Sequence, residues 1–223
     1  ASALFYLARK PKVSYVKEVL AFGVPEYARP GRGSTAEGAY SAASVLDDLY
    51  KRNGFVMAPI PHAQREMTEL ARRVPREKVD LYSGDKATEA AFKRLDLEAY
   101  RLIHLACHAF SDDRYPLRSS LVFSPGPDDA EDGFLQVSEM YDMRTNADLV
   151  VLSACQTGRG KIVRNEGVLG LPRIFFYMGA RSVISTLWPV HDKAGAAFMD
   201  YFYEAYFHGA VHSDEGEMVV FKD

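Results

Sequence analysis

Cysteine is scarce in this chain: two of 223 residues, Cys107 and Cys155. Two thiols cannot hold together a disulfide scaffold. A reducing compartment with unpaired thiols is the expected setting, with a single Cys107–Cys155 bridge as the alternative. Long hydrophobic runs are missing too. None approaches the ~20 residues that span a bilayer, and residues 1–10 lack the basic-then-apolar pattern of a signal peptide. The expected location is therefore cytoplasmic. Charge of one sign is not in excess: 27 Lys plus Arg stand against 30 Asp plus Glu, a net charge of −3. Nothing in that balance asks for nucleic acid or an anionic membrane as a direct partner. No repeat at a 20–50-residue period and no long linker divides the chain, so residues 1–223 read as one domain.

What is present is a sizeable apolar fraction, 48%, with 12% aromatics, arranged in short runs. Residues 17–24 read as a strand stopped by Pro25, and 30–34 as a Gly/Pro loop. Helical spacing runs through 36–52 and 62–73, a short strand through 79–83, and a helix through 87–95. Strands are expected at 101–108, 119–124, 147–155 and 179–187, with a turn-rich stretch at 125–133. Helices are expected at 137–143, at 166–178 (interrupted by Pro172) and at 192–208. Alternation of this kind predicts an α/β fold, a mostly parallel sheet with helices on both faces.

Two of the apolar runs end on side chains fit for nucleophilic catalysis. Arg101-Leu-Ile-His-Leu-Ala-Cys-His108 ends on an imidazole, and Ala147-Asp-Leu-Val-Val-Leu-Ser-Ala-Cys155 on a thiol. In an open parallel sheet the strand carboxyl ends share one edge, where ligands bind. A free Cys ending an apolar strand is usually a small buried hydrophobe. Here Ser153 and Ala154 leave room for a substrate, and Gln156-Thr157-Gly158 suits a tight turn that exposes a backbone N–H beside the sulfur. His104 and His108 lie four apart and so face one side, with Cys107 on the other. His104 reads as the deeper, structural one and His108, at the mouth, as the base.

The other clusters are less specific. Two same-face histidines suggest zinc, but no further ligand arrives at a zinc spacing, so no metal is assigned. Gly31-Arg-Gly33 and Gly158-Arg-Gly160 lack the rest of a phosphate-binding fingerprint. Asp112-Asp113 and Asp128-Asp129 read as solvated loop carboxylates, with magnesium as the alternative. Trp188-Pro-Val-His-Asp192 follows the last strand. Its Trp caps the core or, with the acid, lines a pocket for a substrate side chain.

Together, His104-Leu-Ala-Cys-His108, Asp132-Gly133, the 147–158 run, Glu166-Gly167 and Gly179-Ala-Arg-Ser-Val-Ile-Ser-Thr-Leu-Trp188 resemble a CHAT domain. Phe22-Gly-Val-Pro25 and Pro61-His-Ala-Gln-Arg-Glu66 add to the likeness, which covers about residues 20–209. CHAT is a caspase-like cysteine peptidase family, often attached to tetratricopeptide repeats. Caspases place their His about 50 residues before the Cys; here His108 precedes Cys155 by 47.

The resemblance implies a caspase-like fold and a cysteine endopeptidase with no cofactor. Cys155 would be the nucleophile, His108 the general acid–base, and the backbone N–H groups of Cys155 and Ala109 the oxyanion site. Ala109 stands where the family usually has Gly. Trp188, Ser153 and Asp192 are the expected substrate contacts, with Asp192 favouring a basic side chain before the scissile bond. The expected partners are a protein substrate and a regulatory domain or subunit outside these residues. Both ends look cut short relative to the family. Residues 157–165 are expected to be poorly ordered, with low activity in the isolated chain. An idle caspase-like scaffold and an unrelated α/β hydrolase or thiol transferase remain as alternatives.

Overall fold

A computed structural model describes residues 14–24, 59–110, 112, 114–124, 131–153, 171–186 and 192–208, with the backbone of 210–212 and 218–220. The expected loop at 30–34, the helix at 36–52, Cys155, the loop at 157–165 and Trp188 lie outside the described residues.

Five strands form a parallel sheet: β1 (Lys17–Gly23), β2 (Val79–Ser83), β3 (Tyr100–Ala106), β7 (Leu149–Ser153) and β8 (Val183–Ser185). Their spatial order is β2-β1-β3-β7-β8, so β3 lies centrally with β1 on one side and β7 on the other. Apolar runs such as Leu-Ile-His-Leu-Ala and Leu-Val-Val-Leu form these strands because parallel strands are covered on both faces. Helices α1 (Pro61–Arg72) and α4 (Asp192–His208) cover one face, and α2 (Glu89–Lys93) and α3 (Leu171–Met178) the other. This is the expected α/β, caspase-like arrangement.

Side-chain alternation divides β3 and β7 between two cores. Ile103, Leu105, Val150 and Leu152 join Phe22, Phe92 and Phe123 on the α2/α3 side. The Phe22 ring lies 5.2 Å from Phe92 and 5.0 Å from Phe123, both edge-on. Leu102, Leu149 and Val151 join Met67, Leu70 and Tyr203 on the α1/α4 side.

Several expected elements are corrected. The 101–108 run is not one strand: β3 stops at Ala106, the chain bends at Cys107, and His108 opens β4 (His108–Phe110). β4 belongs to a small antiparallel sheet with β5 (Ser120–Val122) and β6 (Phe134–Gln136). β6 escaped pattern reading because three residues carry too little alternation. The expected helix at 137–143 is a single 3-10 turn, Met140–Asp142. The 179–187 run shrinks to three half-buried residues in β8. The described part of α3 runs from Leu171 to Met178 and Pro172 does not interrupt it, while residues 166–170 of the expected helix lie outside the described residues. A final hairpin pairs β9 (Ala210–His212) with β10 (Met218–Val220). Among the described residues no helix is long and apolar enough to cross a membrane.

Candidate active site

The site is organised by β3 and β7. They run parallel, His104 beside Val151 and Ala106 beside Ser153. Neighbouring strands lie about 4.8 Å apart. Both strands therefore reach the same edge at the Ala106–Ser153 pair. His108 comes two residues after Ala106, and Cys155 two residues after Ser153.

His108 is fully buried, opposite Val122 of β5. Cys107 and Ala109 on either side both pack into the α2/α3 core, which turns His108 away from that core. Ala109 is 2% exposed and faces Leu121 across the small sheet. Of the expected substrate contacts, Ser153 ends β7 and is buried. Asp192 opens α4, and one of its carboxylate oxygens is already engaged. It accepts the His62 backbone N–H at 2.8 Å. The residue at the α1 N-cap, Ile60, supplies no side-chain bond, so Asp192 caps that helix from outside.

Behind the edge lies a polar chain whose connections the motifs did not reveal, although His104 and Glu66 both stand in them. The Tyr203 hydroxyl of α4 lies 2.7 Å from His104 Nδ1. His104 Nε2 faces Glu66 Oε1 of α1 at 3.3 Å, without the alignment of a hydrogen bond. Ser153 is a further polar group acting on the Glu66 carboxylate. Burial pushes the His104 pKa down to about 3, so its imidazole is neutral. Burial pushes the Glu66 carboxyl up to about 7. Ser153 pulls it back, and the nearby Asp192 charge raises it. The sequence did carry a signal for Glu66. With Ala63, Met67 and Leu70 it forms an i, i+3, i+4, i+7 stripe, so an acid sits in the buried face of α1.

His104 is not poised for zinc: one ring nitrogen is bonded to Tyr203 and the other faces Glu66. Asp112 accepts the backbone N–H groups of Arg114 and Tyr115, the work of a turn residue. Among the described residues, Glu89, Glu131 and Glu139 could together reach one ion. Lys93 Nζ already sits among them, at 2.7, 2.6 and 2.8 Å respectively.

The comparisons with known proteins agree with this framework. Tetratricopeptide repeat protein 28 of Mus musculus is 35% identical over 75 residues, 34% of this chain and 3% of that protein. Its Homo sapiens counterpart is 32% identical over 94 residues, 37% of this chain and 4% of that protein. The similarity thus spans a small part of these much longer relatives. The family model for the CHAT domain matches residues 3–214. With nearly the whole chain matched and a caspase-like parallel sheet beneath it, this protein belongs to the CHAT domain family.

Proposed function

We propose that the chain is a cysteine endopeptidase using Cys155 and His108 to cleave a protein partner. The observation that carries the reading is the pairing of Ala106 with Ser153 on adjacent parallel strands. In the sequence each candidate residue follows that pair by two positions. In the proposed reaction the Cys155 thiolate attacks a peptide carbonyl. The tetrahedral oxyanion is held by backbone N–H groups, those of Cys155 and Ala109 being the candidates. His108 protonates the departing amine, and water then hydrolyses the acyl-enzyme with His108 as base. Trp188, Ser153 and the oxygen of Asp192 not bonded to His62 are the candidate substrate contacts. An acid there suits a basic residue before the scissile bond. The cytoplasm is the proposed setting. The tetratricopeptide-repeat relatives support control by a repeat module or subunit outside this chain.

One observation favours a second reading. His108 is fully buried and Ala109 nearly so, an arrangement that suits a closed resting state or a binding module that never opens. Cleavage of a peptide library by the wild type, Cys155→Ala and His108→Ala decides between them. The peptidase reading expects cleavage lost in both variants. Equal cleavage in all three, or none by the wild type even when joined to its natural neighbouring domains, leaves the scaffold.

A further inference from the structure

Lys93 of α2 holds a carboxylate of its own helix and one from each side of β6. Its Nζ lies 2.7 Å from Glu89 Oε1, 2.6 Å from Glu131 Oε2 and 2.8 Å from Glu139 Oε1. An ammonium carries three N–H donors, enough for one to each acid. Two of these acids use their second oxygen on the backbone. Glu89 Oε2 accepts the Gly133 N–H at 2.9 Å, and Glu139 Oε2 accepts the Gln136 N–H at 2.8 Å. Gly133 directly precedes β6 and Gln136 ends it, so the cluster grips both ends of that strand. β6 has only three residues, and so short a strand gains little register from its own ladder. It forms one edge of the small sheet whose other edge, β4, carries His108. Val122 of β5 pairs with Phe134 of β6 on one side and with His108 on the other. Beside that row the Phe123 N–H donates to the Gly133 carbonyl at 2.7 Å, and at the far end the Val137 N–H donates to the Ser119 carbonyl at 2.8 Å.

We propose that Lys93, Glu89 and Glu139 are positioning residues for His108: they pin both ends of β6, and the β6–β5–β4 ladder carries that register to the imidazole. This deepens the peptidase reading and rests on it. A carboxylate binds a backbone N–H more strongly than a neutral acceptor does. The Glu89 side chain is 1% exposed, so its charge stays in place only while the ammonium and the Gly133 N–H compensate it. Loss of the ammonium therefore loosens both strand ends at once. Glu131 also meets Lys93, but the strand ends are held by Glu89 and Glu139.

Wild type, Lys93→Met and Glu139→Gln are compared at pH 8, above the value of about 7 to which burial raises Glu89. Two things are read: the NMR signals of the His108 ring, assigned by their loss in His108→Ala, and kcat and KM for peptide cleavage. Natural neighbouring domains are joined if the chain alone is idle. In Lys93→Met the His108 signals are expected to move, and kcat to fall about tenfold to a hundredfold with KM little changed. Glu139→Gln, which frees one strand end, is expected to move both in the same direction by less. Glu131→Gln is expected to stay close to wild type. Met199→Ala, in the core on the opposite face of the large sheet, loses stability by a cavity and is expected to leave both readings unchanged. Unmoved His108 signals or an unchanged kcat in Lys93→Met overturn the proposal, as does Met199→Ala shifting both equally. If Lys93→Met does not fold, Glu139→Gln decides by the same readings. His108 signals that move as expected in a protein that cleaves nothing keep the positioning role and remove the peptidase reading instead.

Discussion

Replacing Gly23 by Ala tests how tightly the edge of the sheet is built. Gly23 ends β1 and sits beside Ala106 of β3. A Cβ there would lie 2.5 Å from the Ala106 carbonyl oxygen, 2.7 Å from Met67 Sδ and 2.9 Å from Met67 Cε. The methionine can turn away, since its chain is flexible. The carbonyl cannot turn without loss, because it accepts the Val24 N–H at 3.0 Å and belongs to the residue paired with Ser153. Overpacking of this kind costs about 1–3 kcal/mol. For a domain of this size that lowers the melting temperature by roughly 2–12 °C. The displaced carbonyl is two residues before His108, so peptide cleavage is expected to fall with stability. Gly84→Ala is the control. Gly84 has φ of 57° with nothing within 4 Å of a built Cβ, so only left-handed strain of about 1 kcal/mol applies. Calorimetry and cleavage assays on both variants check the reasoning. A Gly23→Ala protein that melts within about 1 °C of wild type and cleaves normally would refute it.

Other outcomes follow from the buried polar groups. Tyr203→Phe removes the hydroxyl 2.7 Å from His104 Nδ1 and is expected to cost about 1–3 kcal/mol in urea unfolding. Glu66 has a folded pKa raised to about 7 from 4.5. The stability its protonation contributes is full below about pH 4.5 and lost as pH rises through 7. Glu66→Gln is thus expected to gain on wild type by roughly 1–3 kcal/mol between pH 4.5 and 8, read from melting curves across that range. Lys93→Met strips the cation from three carboxylates, including Glu89, whose side chain is 1% exposed. Partial exposure of the lysine moderates the cost to about 2 kcal/mol at pH 8. Burial holds Glu89 up at about 7, so the deficit is expected to shrink at pH 5, where it protonates. Denaturant titrations at the two pH values check this.

The central strands were legible because two-sided burial leaves a continuous apolar run, as in Leu149–Ser153 and Tyr100–Ala106. Residues 101–110 misled for the same reason. Cys107 is as apolar as its neighbours, so nothing in composition marks the bend that passes the chain from one sheet to another. The 3-10 turn at Met140–Asp142 looked helical because Val137 and Met140 are both buried three residues apart. Within the site, motif spacing pointed to the strand ends that the sheet brings together at Ala106 and Ser153. The bond from Asp192 to the α1 backbone joins residues 130 apart in sequence, which no local pattern encodes. Glu66 lay between the two cases: visible in the apolar stripe of its helix, yet easily taken for one of many solvated glutamates.

The convergence of His108 and Cys155 is tested most directly by the ionisation of the Cys155 thiol, followed by thiolate absorbance or alkylation in wild type and His108→Ala. The proposed imidazolium beside the sulfur would hold the thiol below its usual value of about 8.5, and the proposal predicts a return toward that value when His108 is removed. A Cys155 titration that is the same in both proteins would contradict it.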